Sequence, residues 1–510
     1  DFKKGVEFKA YAEHKLPHAR VIAIESEREF GLSVLQRLDQ ELRRRGDLFR
    51  TAGVQNLAGF RSRHPEQAMP RILFIVDEFQ EFFVNDDKLA HEASLLLDRL
   101  VRQGRAFGMH VVLGSQTLAG AYSLARSTIG QMAVRIALQC SASDAHLILS
   151  EDNSAARLLG RPGEAIYNDA NGMLEGNHPF QVVWLPDEER NEYLERIAAQ
   201  AAIAGRDELV PIVFEGQAAA DLRSNTELSH ALATPNATPV NAPVPLWLGA
   251  PVSIKEPTRV ALRRQSGHNL LMVGSSRELA AGMTCSSLLS FYSTIGNASE
   301  ASHPRMVVLD GSVMDDGQKL LPPSLAELVM QFGVVAGPRD CDGRIANLSQ
   351  EVTRRLDASD ASAETILLVV YDLVRFRSLQ SADDFGLGSF GSGSSDSAAS
   401  QLANILREGP NVGVHTLLWA DGYHTITRWL ERSSLREFGQ RALMQMSATD
   451  SSHLMDSAAA SQLGANRAVL YDHDRGLAER FRPYGVPNDG WLDEIPRPMS
   501  DGSVRSVGSV

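Results

Sequence analysis

The residues best suited to chemistry in this 510-residue chain are two adjacent acids, Asp77 and Glu78, which end the apolar run "ILFIV". Carboxylates at a strand tip supply hard oxygen ligands. One can hold a hydrated divalent cation, and the other can orient a water molecule and take its proton. Those two tasks form the metal and water end of a site that hydrolyses a nucleoside triphosphate such as ATP. A polar group on the neighbouring strand then has to sense the terminal phosphate, and Gln116 in "VVLGSQ" stands in that place. Asp77 is thus the candidate ligand of Mg²⁺, through water, Glu78 the candidate base and Gln116 the candidate sensor. Such a site also needs a glycine-rich loop whose backbone N–H groups cradle the phosphates. None lies between Asp1 and Asp77.

Positioning these groups requires strands that alternate with helices. "ARVIAI", "ILFIV", "HVVLGSQ" and "VRIALQ" read as short strands, and "FQVVWL" (Phe180 to Leu185) as the strand that closes the first half. Between them, "GLSVLQRLDQELRRRGDLFRTAG" and "LAHEASLLLDRLVRQGRAFG" have helical spacing of apolar residues. Alternation of this kind predicts a mostly parallel sheet covered on both faces. The Pro/Ala/Asn-rich run "ATPNATPVNAPVP" predicts a linker over 201–245. The alternation resumes at "HNLLMVG", so the expected domains are 1–200 and 246–490, with a flexible tail over 491–510. The Gly/Ser-rich stretch Gly386 to Ser400 predicts a mobile loop.

An internal repeat ties the halves together. "GRAFGMHVVLGSQ" matches "GPNVGVHTLLWAD" at an offset of 305 (Gly104 against Gly409). "RIALQCSASD" matches "RALMQMSATD" at an offset of 306 (Arg135 against Arg441). The chain therefore carries two copies of one α/β unit. In the second copy about a hundred residues separate "NLLMVG" from "ILLVVYD". The same distance counted back from Asp77 falls before Asp1, so the first copy's phosphate loop is expected in polypeptide that precedes this chain. His110 and His415 recur at matching positions, where packing at a strand start suits them better than metal binding.

Composition limits the partners. A formal net charge of −13 gives the chain no global attraction for nucleic acid, so phosphate contacts have to come from local patches. The cluster "ELRRRGDLFR" is basic, but a charge run on a helix reads first as a solvated face. Three scattered cysteines fit a reducing, cytoplasmic setting and no zinc or disulfide framework. No apolar run is long enough to cross a bilayer. A membrane anchor would have to lie in a missing N-terminal part.

"VDEFQEFF", "GRAFGMHVVLGSQTL", "GVQNLAGF", "RIALQCSASD" and the opening "DFKKG" together resemble the FtsK/SpoIIIE branch of the RecA-like motor ATPases. The resemblance spans nearly all of residues 1–190, and the weaker repeat extends it to about residue 485. It implies two tandem RecA-like P-loop NTPase domains with mostly parallel central sheets, the first without its phosphate-loop segment. It also implies a homo-oligomeric, hexameric ring that hydrolyses ATP with Mg²⁺ and pumps a polymer, usually double-stranded DNA. Active sites in such rings take an arginine from the neighbouring subunit. Arg135 holds the position of an arginine common at that strand and is the candidate, with Arg105 second.

The second copy departs from this pattern. Gly274, Ser275 and Ser276 begin its degenerate phosphate loop, which lacks G-x-x-x-x-G-K-[ST]. Asp372 stands between Tyr371 and Leu373, so the acid pair is broken, and Asp421 replaces Gln116. Loss of hydrolysis is expected there. Tandem modules with a degenerate later copy, and the "DFKKG…LPH" opening, are also similar to the EccC ATPases of type VII secretion. That resemblance implies a secreted protein as substrate. A third reading is a non-hydrolytic assembly or interaction module.

Overall fold

An interior parallel strand has to hydrogen-bond on both edges and be covered on both faces. The two halves of this chain meet that demand to different degrees. The computed structural model describes residues 1–3, 6–14, 16–118, 126–206, 211–216, 218–235, 239–295, 304–312, 321–360, 363–381 and 397–497. They form two compact units, Asp1–Gln217 with Val252–Ile254, and Ala218–Pro251 with Lys255–Val510. The Gly/Ser-rich stretch expected to be mobile lies largely, and the expected tail mostly, outside the described residues.

The first unit contains β1 (Val21–Ile24), β2 (Ile72–Val76), β3 (Met109–Leu113), β4 (Arg135–Leu138), β5 (Glu164–Asn168), β6 (Asn177–Gln181) and β7 (Ile212–Glu215). They pair as three separate sheets: β1 with β7 and β2 with β3, both parallel, and β4–β5–β6, antiparallel. The strand expected at Phe180 to Leu185 stops at Gln181, and Val183 and Trp184 lie exposed beyond it. Helices Arg28–Ala52 and Lys88–Gln103 cover one face of β2–β3 with Leu35, Leu42, Leu97 and Leu100.

The second unit contains β8 (Val244–Pro251), β9 (Thr258–Leu262), β10 (Leu270–Val273), β11 (Met306–Asp310), β12 (Gly333–Ala336), β13 (Ile366–Tyr371), β14 (Val414–Ala420), β15 (Gln440–Met444), β16 (Ala468–Asp472) and β17 (Leu477–Pro483). All ten join one sheet in the order β12-β11-β13-β14-β10-β15-β16-β17-β8-β9. The β12 to β15 portion is parallel and the rest antiparallel. β10 lies in the middle, bonded to β14 and β15. Helix Arg277–Tyr292 follows it and is buried from Leu279 to Tyr292. Its polar residues satisfy themselves locally: Thr284 donates to the Ala280 carbonyl at 2.7 Å and Ser287 to that of Met283 at 2.7 Å.

Matching strands give the repeat its structural register. The Ile72 N–H donates to the Gly108 carbonyl and the Ile366 N–H to that of Gly413, both at 2.9 Å. Each glycine has positive φ (+72° and +78°) at the turn into β3 or β14, a conformation that suits glycine. Thus β2–β3 corresponds to β13–β14, and the antiparallel β4–β5–β6 to β15–β16–β17. A repeated ionic bracket supports the match. Buried Arg45 pairs with Glu41 and donates to the Phe107 and Pro70 carbonyls. Buried Arg355 pairs with Glu351 and donates to the Val412 and Glu364 carbonyls. Each arginine fastens a helix to a strand start, which accounts for part of the basic cluster in "ELRRRGDLFR". The others there pair with acids: Arg43 with Asp39, Arg44 with Glu41 and Arg50 with Asp47.

The segment expected to be a linker over 201–245 is partly folded. It contributes β7, helix Thr226–Ala233 and the start of β8, and the boundary between units falls after Gln217. Leu228 and Leu232, one helical turn apart, enter the second unit's core, and Asn225 caps the helix by accepting from the Leu228 N–H. Low hydrophobic content hid these few well-spaced side chains.

His415 is fully buried, and its Nδ1 donates to the His268 carbonyl at 2.8 Å, at the entry to β10. Its counterpart His110 is exposed. Burial lowers the His415 pKa to about 4, against a hydrogen bond that would raise it. A base depressed in the folded state contributes stability that is complete above its unfolded value of 6.5 and is lost as pH falls toward 4. At ~1.4 kcal/mol per pH unit this is worth roughly 3 kcal/mol. Urea midpoints of the second unit's transition should fall over that interval, and His415→Gln should flatten the fall. An equal slope in parent and variant would refute the assignment.

Candidate functional site

β2 brings the acid pair to the strand tip the sequence indicated. The Asp77 carboxylate accepts from the Glu78 N–H at 3.0 Å and lies against Gly114, where a Cβ would approach Asp77 Oδ1 to 2.8 Å. Gly114 thus makes room for this carboxylate. Glu78 takes a left-handed conformation (φ +54°) and is buried. For a non-glycine residue that backbone costs on the order of 1–3 kcal/mol, the kind of strain that clusters at functional sites. Gln116, three residues past β3, is exposed. Thr117 and Leu118, which follow it, are held by Asp144, which accepts from Thr117 Oγ1 at 3.0 Å and the Leu118 N–H at 3.1 Å. Burial would raise the Asp144 carboxyl, but bonds from Ser141, Leu118 and Thr117 outweigh it and hold the carboxyl below the usual range.

Sequence reasoning missed the residues that hold Glu78. Lys3 Nζ donates to Glu78 Oε2 at 3.2 Å and pairs with Glu81 at 3.0 Å. Its pKa is raised by the hydrogen bonds to Glu81 and Glu78. Gln80 Nε2 also donates to Glu78 Oε2. Ser115 Oγ in turn lies 2.7 Å from Gln80 Oε1 and 2.5 Å from the Thr117 carbonyl, one proton serving the two acceptors. The sequence signals were the closeness of Gln80 to the acids and the place of Lys3 in "DFKKG", but nothing in the sequence joined Lys3 to Glu78, 75 residues away.

Arg135, the expected arginine finger, points inward instead. Its guanidinium donates to the carbonyls of Met132, Ile148 and Leu149. Arg441 does the same with Phe438, Leu454 and Leu435. The pairing of these arginines in the repeat therefore reflects a shared structural bond set. Arg105 is exposed.

At the second unit's strand tip, the register places Tyr371 opposite Asp77 and Asp372 opposite Glu78. Asp372 is likewise left-handed (φ +65°) and buried. Its carboxylate pairs with Arg277 and Arg375, both at 3.4 Å, and Tyr371 Oη donates to the Arg277 carbonyl at 3.1 Å. The expected degenerate loop is short. Helix Arg277–Tyr292 begins three residues after Gly274, and Ser276 caps it by accepting from the Leu279 N–H. Gly274 (φ +148°) lies where a Cβ would run into the Met444 side chain. Protein groups thus neutralise the acid and cap the helix that a phosphate would otherwise engage.

The faces of the two sheets differ sharply. Leu73, Ile75, Val112, Ile136 and Leu138 are between 49% and 60% exposed. Their counterparts Leu367, Val369, Leu417, Ala442 and Met444 are at most 2% exposed, under helix Arg277–Tyr292. Among the described residues no strand joins β3 to β4, whereas β10 joins β14 to β15.

Residues 1–120 match the FtsK/SpoIIIE family. The DNA translocase FtsK of Streptococcus pneumoniae (strain ATCC BAA-255 / R6) is 26% identical over 211 residues, 39% of this chain and 26% of that protein. The DNA translocase FtsK of Helicobacter pylori (strain ATCC 700392 / 26695) is 26% identical over 185 residues, 35% of this chain and 20% of that protein. The chain thus spans about a quarter or less of these relatives' length. Among solved structures, the cytoplasmic domain of the Thermomonospora curvata type VII secretion ATPase EccC aligns with a TM-score of 0.59 at 18% identity. That alignment covers 97% of this chain and 58% of that one. The first unit therefore carries an FtsK/SpoIIIE-type segment, and the chain has the tandem RecA-like α/β fold.

Burial raises the Asp372 carboxyl above its usual range, and the two arginines only partly offset this. An acid raised in the folded state contributes stability that is complete below its unfolded pKa and is lost as pH rises through the folded one. Arg277→Ala removes part of the offset. Its loss of stability relative to the parent should widen as pH rises from about 4 to about 8, read from urea midpoints. A difference that stays constant across that range would remove Arg277 from this role.

Proposed function

We propose that the complete protein is an ATP-driven motor of the FtsK/SpoIIIE class in which the first unit hydrolyses ATP to translocate double-stranded DNA. The observation that carries this reading is the acid pair at the tip of β2 beside an uncovered apolar sheet face. In the second unit the equivalent face takes a strand and a helix, β10 and Arg277–Tyr292. A strand, phosphate loop and helix of that kind, from polypeptide outside these 510 residues, would cover Leu73, Ile75, Val112, Ile136 and Leu138. Fully burying such a side chain is worth about 1.5–3 kcal/mol, so the face favours an occupant. The dipeptide Gly-Lys does not occur in this chain, so the lysine of the loop would have to come with that segment.

The residues present suit Mg²⁺ bound together with a nucleotide. Among the described residues no cluster of three or more metal-ligating side chains occurs. One hard carboxylate, Asp77, is what such an ion needs when phosphates and waters fill its other positions. The ion would neutralise charge on the phosphates. Glu78 would take the proton of the water that attacks the γ-phosphorus as the bond to the β-phosphate oxygen breaks, releasing ADP. Gln116 would bond the γ-phosphate. The second unit would serve assembly rather than turnover, since Arg277 and Arg375 already answer its acid. Assembly into a hexameric ring follows from the class, and exposed Arg105 replaces Arg135 as the candidate for a contact in trans.

Protein export is the second reading. The likeness to EccC runs along both units, which favours it, while the sequence relatives are DNA translocases. ATP turnover of the full-length protein with and without linear duplex DNA, at fixed salt, separates the two. Stimulation by DNA is expected. Glu78→Gln should keep ATP binding and lower kcat by about a hundredfold or more. Unchanged hydrolysis in Glu78→Gln would remove the residue from its role, and DNA-independent turnover would favour export.

A further inference from the structure

Glu78 is buried and strained, so its useful oxygen has to be aimed by its neighbours. Both side-chain bonds to it fall on Oε2, one from Lys3 Nζ at 3.2 Å and one from Gln80 Nε2. Among the described residues none falls on Oε1. An ionised carboxylate held by two donors on one oxygen keeps the other as its free acceptor. Gln80 is itself buried, and its Oε1 lies 2.7 Å from Ser115 Oγ, whose single proton it shares with the Thr117 carbonyl at 2.5 Å. Ser115 directly precedes Gln116, the candidate γ-phosphate sensor. A continuous chain of hydrogen bonds thus runs from the sensor's strand through Ser115 and Gln80 to the base, and Lys3 clamps it from the other side.

We propose that Lys3 and Gln80 are positioning residues for Glu78, fixing Oε2 so that Oε1 faces the attacking water, and that Ser115 couples this aim to the Gln116 loop. The inference rests on the ATPase reading of the first unit. The second unit gives the contrast. There the equivalent acid is paired through Oδ2 with two arginines in place of a lysine and an amide, and the residue before it is Tyr371 rather than a second acid.

The test uses the full-length protein with saturating Mg-ATP. Lys3→Met and Gln80→Leu should each lower kcat about tenfold to a hundredfold while KM and ATPγS affinity stay within about threefold of the parent. Ser115→Ala should have a smaller effect in the same direction. Lys3→Arg should recover most of the loss. In a Glu78→Gln background, Lys3→Met should cost nothing further in kcat, because the base it aims has gone and its other partner, Glu81, takes no part in the proposed step. A general loss of folding would instead add to the loss from Glu78→Gln. Parental kcat in Lys3→Met, a change confined to KM, or additive losses in the double variant would overturn this inference alone. A parent whose hydrolysis does not depend on Glu78 would overturn the ATPase reading with it.

Discussion

The central strand is the constraint on which both units depend. In the second unit β10 bonds β14 on one edge and β15 on the other, and the helix that follows it packs into the core on one face of the sheet. Asn269, just before it, donates to the carbonyls of Leu406 and Glu437 and accepts from the Thr416 N–H. His415 reaches the next carbonyl back, that of His268. A single buried strand therefore satisfies polar groups from several elements at once, which is how a parallel sheet avoids unpaired donors. Where the first unit has no described strand in that place, the same positions carry an exposed histidine and half-exposed aliphatic side chains.

A second theme is how each unit treats a buried acid at a strand tip. A carboxylate taken out of water needs donors or cations, or it becomes costly to keep charged. Glu78 is served by one lysine and one amide, both on the same oxygen. Asp372, one methylene shorter, is closed in by two arginines, one of them from the first turn of the helix after Gly274. The same left-handed backbone thus carries an acid held through one oxygen by a lysine and an amide in one copy, and through one oxygen by two arginines in the other. That divergence fits the loss of the Gly-Lys signature better than any single substitution does.

The likenesses to other proteins divide along the chain. The family match falls on residues 1–120, where the acid pair and its supporting lysine lie, and the sequence relatives align over 185 to 211 residues. Similarity in fold extends over both units. Core packing tolerates wide substitution provided volume and pattern persist, whereas the geometry of a strand-tip site allows few residue types. The repeated Arg45–Glu41 and Arg355–Glu351 brackets show a structural bond set common to both copies, whereas the residues at the two strand tips differ.

The amino-acid order by itself determined the alternation of strands and helices, the tandem repeat, and the acids that end β2. These are local signals of period, composition and adjacency. It set Asp372 against the acid pair but not against one member of it, and the folded strands place it opposite Glu78. The strands match with Ile72 opposite Ile366, 294 apart, although the flanking blocks match at offsets of 305 and 306, because the helix and loop between them differ in length. Nor could it turn Arg135 inward, fold the helix around Leu228 that precedes the Pro/Ala-rich run, or bring Lys3 to Glu78. Those outcomes depend on which carbonyls, apolar faces and charges meet across tens of residues, and only the folded backbone sets those distances.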